Sequence, residues 1–147
     1  ILNMKFKKYF ISFIILIASS TSTFAANETI EMLNKQGNEL MVYSKKVVKI
    51  NVGDTVLWKA TDKGHNVEFI KGGVPEGVEK FKTKYNKDVE YTFTIPGIYA
   101  YWCTPHKNMG MIGFVVVGGD KSNLEAIKNI RFSAKSKKIA PDLINSL

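Results

Sequence analysis

The chain has 147 residues, a length that suits one domain. It carries 21 basic and 13 acidic residues, for a formal net charge of +8. A positive balance is typical of proteins that meet nucleic acid, anionic membranes or acidic protein partners. Nucleic acid is disfavoured, because Arg131 is the only arginine and no basic and aromatic repeat occurs.

The first 25 residues have the layout of a secretory signal peptide. A basic stretch, Lys5–Lys8, is followed by an apolar run, Phe10–Ala18, and then by small residues. We interpret Met4 as the initiator, which makes residues 1–3 extra, and we expect cleavage after Ala25. The apolar run is shorter than the roughly 20 residues that a spanning helix needs. The sequence therefore predicts an exported, periplasmic protein with no membrane anchor in its mature form.

From residue 26 to 147 we expect a single domain, built mostly of strands up to about Gly119. Several segments alternate apolar and polar residues with a period of two, and turns rich in Gly or Pro separate them. Short strands at even spacing predict an all-β sandwich or barrel of antiparallel strands. The predicted strands are 29–34, 40–43, 47–52, 55–59, 65–70, 90–95, 98–103 and 112–117.

The tail, from about residue 121, changes to a helical pattern. Ser122–Glu125 can open a helix, in which Leu124, Ile127 and Lys128 recur at helical spacing. Pro141 is expected near the start of a second, short helix that ends at Ser146. Both helices are expected to pack on one face of the strands.

Donor atoms suited to a soft metal are concentrated in one loop between two predicted strands. The loop holds the only cysteine of the chain, Cys103, then His106, Met109 and Met111. The other histidine, His65, begins a predicted strand far away in the sequence. Two imidazoles, a thiolate and a weak thioether form the donor set of blue-copper sites. A tetrahedral zinc site of cysteine and histidine would need a fourth such ligand, which the chain lacks.

Six segments resemble the cupredoxins, the blue-copper proteins, and among them most closely the pseudoazurin family. The loop spacing C-x₂-H-x₄-M is shared with plastocyanins, whereas TDKGHNVE and the helical tail favour the pseudoazurin family. The resemblance implies a Greek-key sandwich of about eight strands with two C-terminal helices. The resembling segments are EMLNK (31–35), VGDTV (52–56), TDKGHNVE (61–68), FKTK (81–84), PGIY (96–99) and CTPHKNMGM (103–111).

The resemblance also assigns roles to individual residues. It implies one copper ion, Cu(I) or Cu(II), bound by His65, Cys103, His106 and Met111, and leaves Met109 at the surface. Asn66 and Thr104 match positions that hold the two ligand segments together. Residues that match a partner-docking patch are Lys35, Lys63, Lys82, Met41, Pro105 and Met109.

One departure from the family concerns docking. Trp102 stands where other members have a lysine just before the cysteine. Lys107, inside the ligand loop, is interpreted as the compensating charge. The departure leaves the predicted copper ligands intact.

The function implied by the resemblance is that of a monomeric electron carrier, not an enzyme. The expected partner is an acidic redox protein, such as copper nitrite reductase or another periplasmic reductase of nitrogen-oxide respiration. Alternatives are another cupredoxin carrier of the plastocyanin type and a copper-delivery protein. A multicopper oxidase would need far more than two histidines, and a storage protein would be expected to carry Met- or His-rich repeats, which are absent here.

Overall fold

A computed structural model describes residues 27–147 of the chain. The predicted signal peptide, residues 1–25, and the extra residues before Met4 lie outside that range. Eight strands are followed by two helices, in the order predicted. The strands are β1 Asn27–Gln36, β2 Glu39–Tyr43, β3 Val47–Ile50, β4 Thr55–Lys59, β5 Glu68–Phe69, β6 Val89–Thr92, β7 Gly97–Trp102 and β8 Ile112–Val117.

The strands form two four-stranded sheets, ordered β2-β1-β4-β6 and β3-β8-β7-β5. From β2 onward the chain alternates between the two sheets until β7 and β8 pair as neighbours. The prediction of purely antiparallel strands was wrong for two pairs, because β1 runs parallel to β4 and β3 runs parallel to β8. Parallel neighbours need a crossover connection, and these pairs receive it from the passage through the opposite sheet.

Apolar side chains from both sheets meet in one core, which also contains Cys103 and Met111. In β4 the buried residues are Val56 and Trp58, which alternate with partly exposed neighbours as a half-buried strand requires. Strand β8 is different, since all six of its residues are buried. Its second face lies in a separate apolar cluster with residues of the C-terminal helices, which explains its continuous apolar sequence.

The segment that carries His65 is less regular than predicted. Only Glu68–Phe69 is strand, whereas the sequence predicted a strand over 65–70. Val67 pairs instead with Thr83: its N–H donates to the Thr83 hydroxyl at 3.0 Å, and its carbonyl accepts from the Thr83 N–H at 2.9 Å. A side chain thus replaces a backbone partner, so no regular ladder forms there.

The two C-terminal helices are α1, Leu124–Lys128, and α2, Ala134–Asn145. The start predicted for the second helix was wrong: α2 begins seven residues before Pro141, which lies inside it. Ala140, Leu143 and Ile144 of α2 contribute to the second apolar cluster, and this packing outweighs the local preference of proline for a helix start. Within residues 27–147, neither helix is long and apolar enough to cross a membrane.

Candidate metal centre

Three side-chain donors converge at one end of the sandwich. His65 Nδ1 lies 3.2 Å from His106 Nδ1, and Cys103 Sγ lies 3.7 and 3.5 Å from these two nitrogens. A trigonal metal with bonds of about 2.0 Å to nitrogen and 2.3 Å to sulfur would hold its nitrogens roughly 3.5 Å apart and its sulfur roughly 3.7 Å from each. The observed triangle is close to that size. Among residues 27–147, no other group of three His, Cys, Asp or Glu donors is as close.

The local fold of the loop explains how Cys103 and His106 come together. Residues Thr104–His106 form one turn of 3-10 helix, in which the His106 N–H donates to the Cys103 carbonyl at 3.0 Å. Pro105 lies in the first turn of this helix, where its missing N–H costs nothing. A spacing of three residues therefore returns the imidazole to the side of the thiol.

The two methionines of the loop lie in different environments. Met111 is fully buried in the core cluster that contains Cys103, and its carbonyl accepts the Cys103 N–H at 3.0 Å. Met109 is 41% exposed. Met111 thus lies in the core with Cys103, and Met109 lies at the surface.

The His65 ring is oriented by a residue that the sequence analysis missed. Asn34, near the end of β1, places its side-chain oxygen 2.9 Å from His65 Nε2. With the proton on Nε2, that nitrogen donates to Asn34 and the Nδ1 lone pair faces Cys103. A hydrogen bond of this kind fixes the tautomer of a metal-binding histidine. The resembling segment EMLNK ends with Asn34-Lys35, and it was the one signal that could have identified Asn34.

Asn66 and Thr104 connect the two segments that carry the donors. The Thr104 N–H donates to the Asn66 side-chain oxygen at 2.8 Å, and the Asn66 amide donates to the Thr104 hydroxyl at 3.0 Å. Asn66 is itself buried. This paired contact fixes the distance between the residues that follow His65 and Cys103.

A second missed residue, Glu68, extends this connection. Its Oε2 atom accepts from the Thr104 hydroxyl at 2.7 Å and from the Trp102 indole N–H at 3.1 Å, and lies 3.4 Å from Lys82 Nζ. Burial raises the pKa of Glu68, but these hydrogen bonds and the lysine charge outweigh it and leave the pKa below its usual value. The charged carboxylate therefore ties β5 to the residues on both sides of Cys103.

The electrostatic setting suits neutral imidazoles. Burial, and then the charge on His106, lower the pKa of His65, while Asp62 opposes them. Burial also lowers the pKa of His106. For Cys103, burial raises the thiol pKa, and the backbone N–H groups of Asn66 and His106 partly counter it. A metal ion would have to displace the thiol proton on binding, as thiolate ligation requires.

The four lysines predicted to take part in docking are all exposed but differ in their contacts. Lys35 directly follows the residue that binds His65, and Lys63 lies in the turn before His65. The Lys82 ammonium lies 3.4 Å from the Glu68 carboxylate. The Lys107 ammonium lies 4.9 Å from the centre of the Trp102 ring, a cation–π contact. Lys107 thus places a positive charge beside Trp102, and its compensating role in docking stays a prediction.

The apolar members of the patch are less uniform. Pro105 and Met109 are exposed on either side of His106, whose ring is half-buried. Met41 is only partly exposed, because its side chain packs against the central core. Of the three converging donor residues, His106 is the one with part of its surface open to solvent, since His65 and Cys103 are fully buried.

Comparison of the sequence with models of known protein families agrees with this fold and this donor set. Residues 30–118 match the model for copper-binding proteins of the plastocyanin/azurin family. The match covers more than half of the chain, and the chain belongs to this family, the cupredoxins.

Individual relatives narrow the class. The chain is 48% identical to a putative pseudoazurin from Rhizobium leguminosarum, over 77% of this chain and 74% of the relative. It is 43% identical to a pseudoazurin from Paracoccus pantotrophus, over 83% and 84%. The solved pseudoazurin structure from Sinorhizobium meliloti superposes with a TM-score of 0.77 at 44% identity, over 82% of this chain and 94% of that one. Within the cupredoxins, the chain therefore belongs to the pseudoazurins.

This membership confirms the predicted fold class and the copper cofactor. It makes the chain a copper-binding electron-transfer protein and not an enzyme. The residues that converge at the end of the sandwich fit the metal, since they supply two imidazoles and a thiol, with a buried thioether nearby.

Proposed function

We propose that His65, Cys103, His106 and Met111 bind one copper ion in a type 1 site. The observation that carries the proposal is the triangle of donor atoms with edges of 3.2, 3.5 and 3.7 Å. Met111, and not Met109, is assigned as the thioether ligand because it is fully buried in the same cluster as Cys103. When bound, copper supplies a one-electron couple between Cu(I) and Cu(II).

The surrounding residues hold these ligands in place and exclude water. Asn34 fixes the His65 ring, and the Asn66–Thr104 pair fixes the spacing of the two ligand segments. Ligands that are already in position need not move when an electron arrives or leaves, which favours fast transfer. Electrons are expected to pass through the exposed edge of His106, because the other ligands are buried.

We further propose that the physiological partner is an acidic redox protein, such as copper nitrite reductase or another nitrogen-oxide reductase. The support is the combination of exposed Pro105 and Met109 beside His106 with the positive residues Lys35 and Lys63 near His65. Apolar contact allows close approach, and rim charges increase the rate of encounter. The protein is expected to work in the periplasm, because residues 1–25 have the layout of a signal peptide.

The first test is replacement of the thiol by Cys103→Ser. Wild-type protein loaded with Cu(II) should be intensely blue and become colourless on reduction, because the colour comes from charge transfer between thiolate and copper. The serine variant should lose this band while its far-ultraviolet circular dichroism stays unchanged. A full blue band in the variant would contradict the ligand assignment.

The partner is tested separately, by stopped-flow oxidation of the reduced wild-type protein with nitrite reductase.

A further inference from the structure

The start of helix α2 makes four polar contacts with the segment 107–110, which lies between His106 and Met111. The Ser136 hydroxyl donates to the Lys107 carbonyl and accepts the Gly110 N–H at 3.1 Å. The Ser133 hydroxyl donates to the Asn108 side-chain oxygen at 2.6 Å. The Lys135 N–H donates to the Asn108 carbonyl at 3.1 Å. The segment is thus bonded at both ends and in the middle.

Ser136 is the buried centre of these contacts. Its side chain is fully buried, although serine usually lies at the surface. If its hydroxyl were removed, the Gly110 N–H and the Lys107 carbonyl would lose a partner where water has little access. The buried hydroxyl is therefore explained by the two backbone groups of segment 107–110 to which it is hydrogen-bonded.

The approach of the helix to the segment is close. Gly110 has a φ of +96°, and a Cβ there would lie 3.2 Å from Lys135 Cδ and 3.4 Å from Ile139 Cδ1. A larger residue would strain the backbone and would require the Lys135 side chain to shift. Glycine therefore lets α2 lie directly against the chain that leads into Met111.

The helix start is locally unfavourable for α2 itself. Ser133 is the N-cap residue, yet its hydroxyl makes no capping hydrogen bond and serves Asn108 instead. Ala134 has a φ of +49°, a left-handed conformation that residues with a Cβ rarely adopt. Such strain persists where surrounding contacts require it. Here the residues on both sides of Ala134, Ser133 and Lys135, contact segment 107–110.

We propose that residues Ser133–Ser136 act as a clamp that fixes the positions of His106 and Met111, with Ser136 as the principal positioning residue. The clamp rests on the proposed ligand set. It acts through segment 107–110: both ends of the segment adjoin a ligand, so holding the segment limits the movement of the imidazole and of the thioether. The C-terminal helix is then part of the copper site without contacting the metal.

The decisive variant is Ser136→Ala. Loss of hydrogen bonds just outside a metal site typically weakens metal binding about 10- to 100-fold, and we expect the copper dissociation constant to rise about tenfold. The charge-transfer spectrum and the reduction potential should shift as well. In the metal-free protein, the Gly110 amide should exchange with solvent faster than in the wild type, as measured by NMR.

A matched control separates the clamp from simple loss of stability. Leu143 lies in the same helix about two turns after Ser136, is partly buried and packs in the second apolar cluster. Leu143→Ala should lower the midpoint of thermal unfolding but leave the spectrum, the copper affinity and the Gly110 exchange rate as in the wild type. If both variants change the copper site equally, the clamp is refuted.

The remaining outcomes are also decisive. A Ser136→Ala protein with wild-type spectrum, affinity and Gly110 exchange overturns the clamp. If Ser136→Ala does not fold, Ser133→Ala takes its place, because that side chain is exposed and caps nothing; an unchanged spectrum and affinity there would equally overturn the clamp. If the wild-type protein itself forms no blue copper site, the proposed function fails, and the clamp fails with it.

Discussion

His65 shows how much of a ligand's behaviour is set by a single neighbour. The ring has two nitrogens, and only one can face the thiol and the second imidazole. Asn34 offers an oxygen at 2.9 Å to Nε2, so that nitrogen carries the proton and Nδ1 keeps its lone pair. Since burial also lowers the pKa of His65, the neutral form dominates at neutral pH. The ring is thus prepared for a metal before one arrives.

The two methionines give a sharp test at the scale of one residue. Met111→Leu should raise the reduction potential and alter the charge-transfer spectrum, because Cu(II) loses a weak axial donor. Met109→Leu is the matched control and should leave both unchanged, since Met109 is 41% exposed. Each swap nearly conserves volume and should cost less than about 1.5 kcal/mol in unfolding free energy. The reverse pattern would show that the assignment of the thioether is wrong.

At this scale, the donors could be predicted from the sequence but their supporting residues could not. Cys103 and the two histidines were identifiable because so few residue types bind a soft metal, and the chain has one Cys and two His. Asn34 and Glu68 belong to common types, and their partners lie 31 and 34 to 36 residues away. Their roles depend on how β1 and β5 are placed in the fold, which local sequence does not encode.

At the scale of elements, alternation located the strands but not their neighbours. In the predicted strand 55–59 the alternating apolar residues Val56 and Trp58 are the buried ones. Strand β4 pairs in parallel with β1 and antiparallel with β6. These pairings were not predictable, because they depend on long-range packing of both sheets. The continuous apolar run of β8 is explained only by the structure, in which the C-terminal helices cover its second face.

Pro141 illustrates how tertiary packing overrides a local signal. Proline is favoured in the first turn of a helix, but Pro141 is the eighth residue of α2. In a helix interior it removes one backbone hydrogen bond and crowds the preceding turn. The apolar face formed by Ile139, Leu143 and Ile144 packs against the sheet and keeps the helix continuous.

Pro141→Ala should therefore stabilise the protein. Interior proline costs about 3 kcal/mol relative to alanine, whereas the freer unfolded chain of the variant takes back up to about 1 kcal/mol. The net gain is expected to be about 2 kcal/mol, measured by urea unfolding of the metal-free protein. Pro105→Ala is the control of opposite sign: Pro105 lies in a first turn, so its replacement should destabilise by about 0.4–1 kcal/mol. A loss of stability in Pro141→Ala would mean that α2 is shaped around the proline.

The whole molecule has a functional end and an opposite end. Strand β7 runs toward the ligand loop and β8 runs away from it, so Trp102 and Ile112 mark the functional end, and Gly97 and Val117 the opposite one. Lys35 follows Asn34, which orients His65, and Lys63 lies two residues before His65 in the sequence. Lys49 pairs in register with Val116 near the far end of β8. Exposed lysines therefore lie both beside His65 and near the far end of β8, and only those beside His65 adjoin the proposed exit for electrons.

This polarity predicts that the position of charge matters more than its amount. Lys35→Glu with Lys63→Glu should slow second-order electron transfer to copper nitrite reductase roughly tenfold or more at low ionic strength, because charges around a docking site steer the encounter. The dependence of the rate on salt should flatten, since salt screens the same charges. The blue spectrum and the reduction potential should barely change, because no ligand is touched.

The matched control for this charge reversal is Lys49→Glu with Lys121→Glu. Both lysines are exposed, Lys49 pairs near the far end of β8, and Lys121 follows that strand. Each pair of substitutions changes the net charge by the same amount, so any general effect of charge appears equally in both variants. Stopped-flow traces over a salt series should therefore separate them, with the control close to the wild type. Equal slowing of both variants would mean that net charge alone governs the encounter. A wild-type rate for the Lys35 and Lys63 variant at low salt would mean that these lysines are ordinary solvated residues.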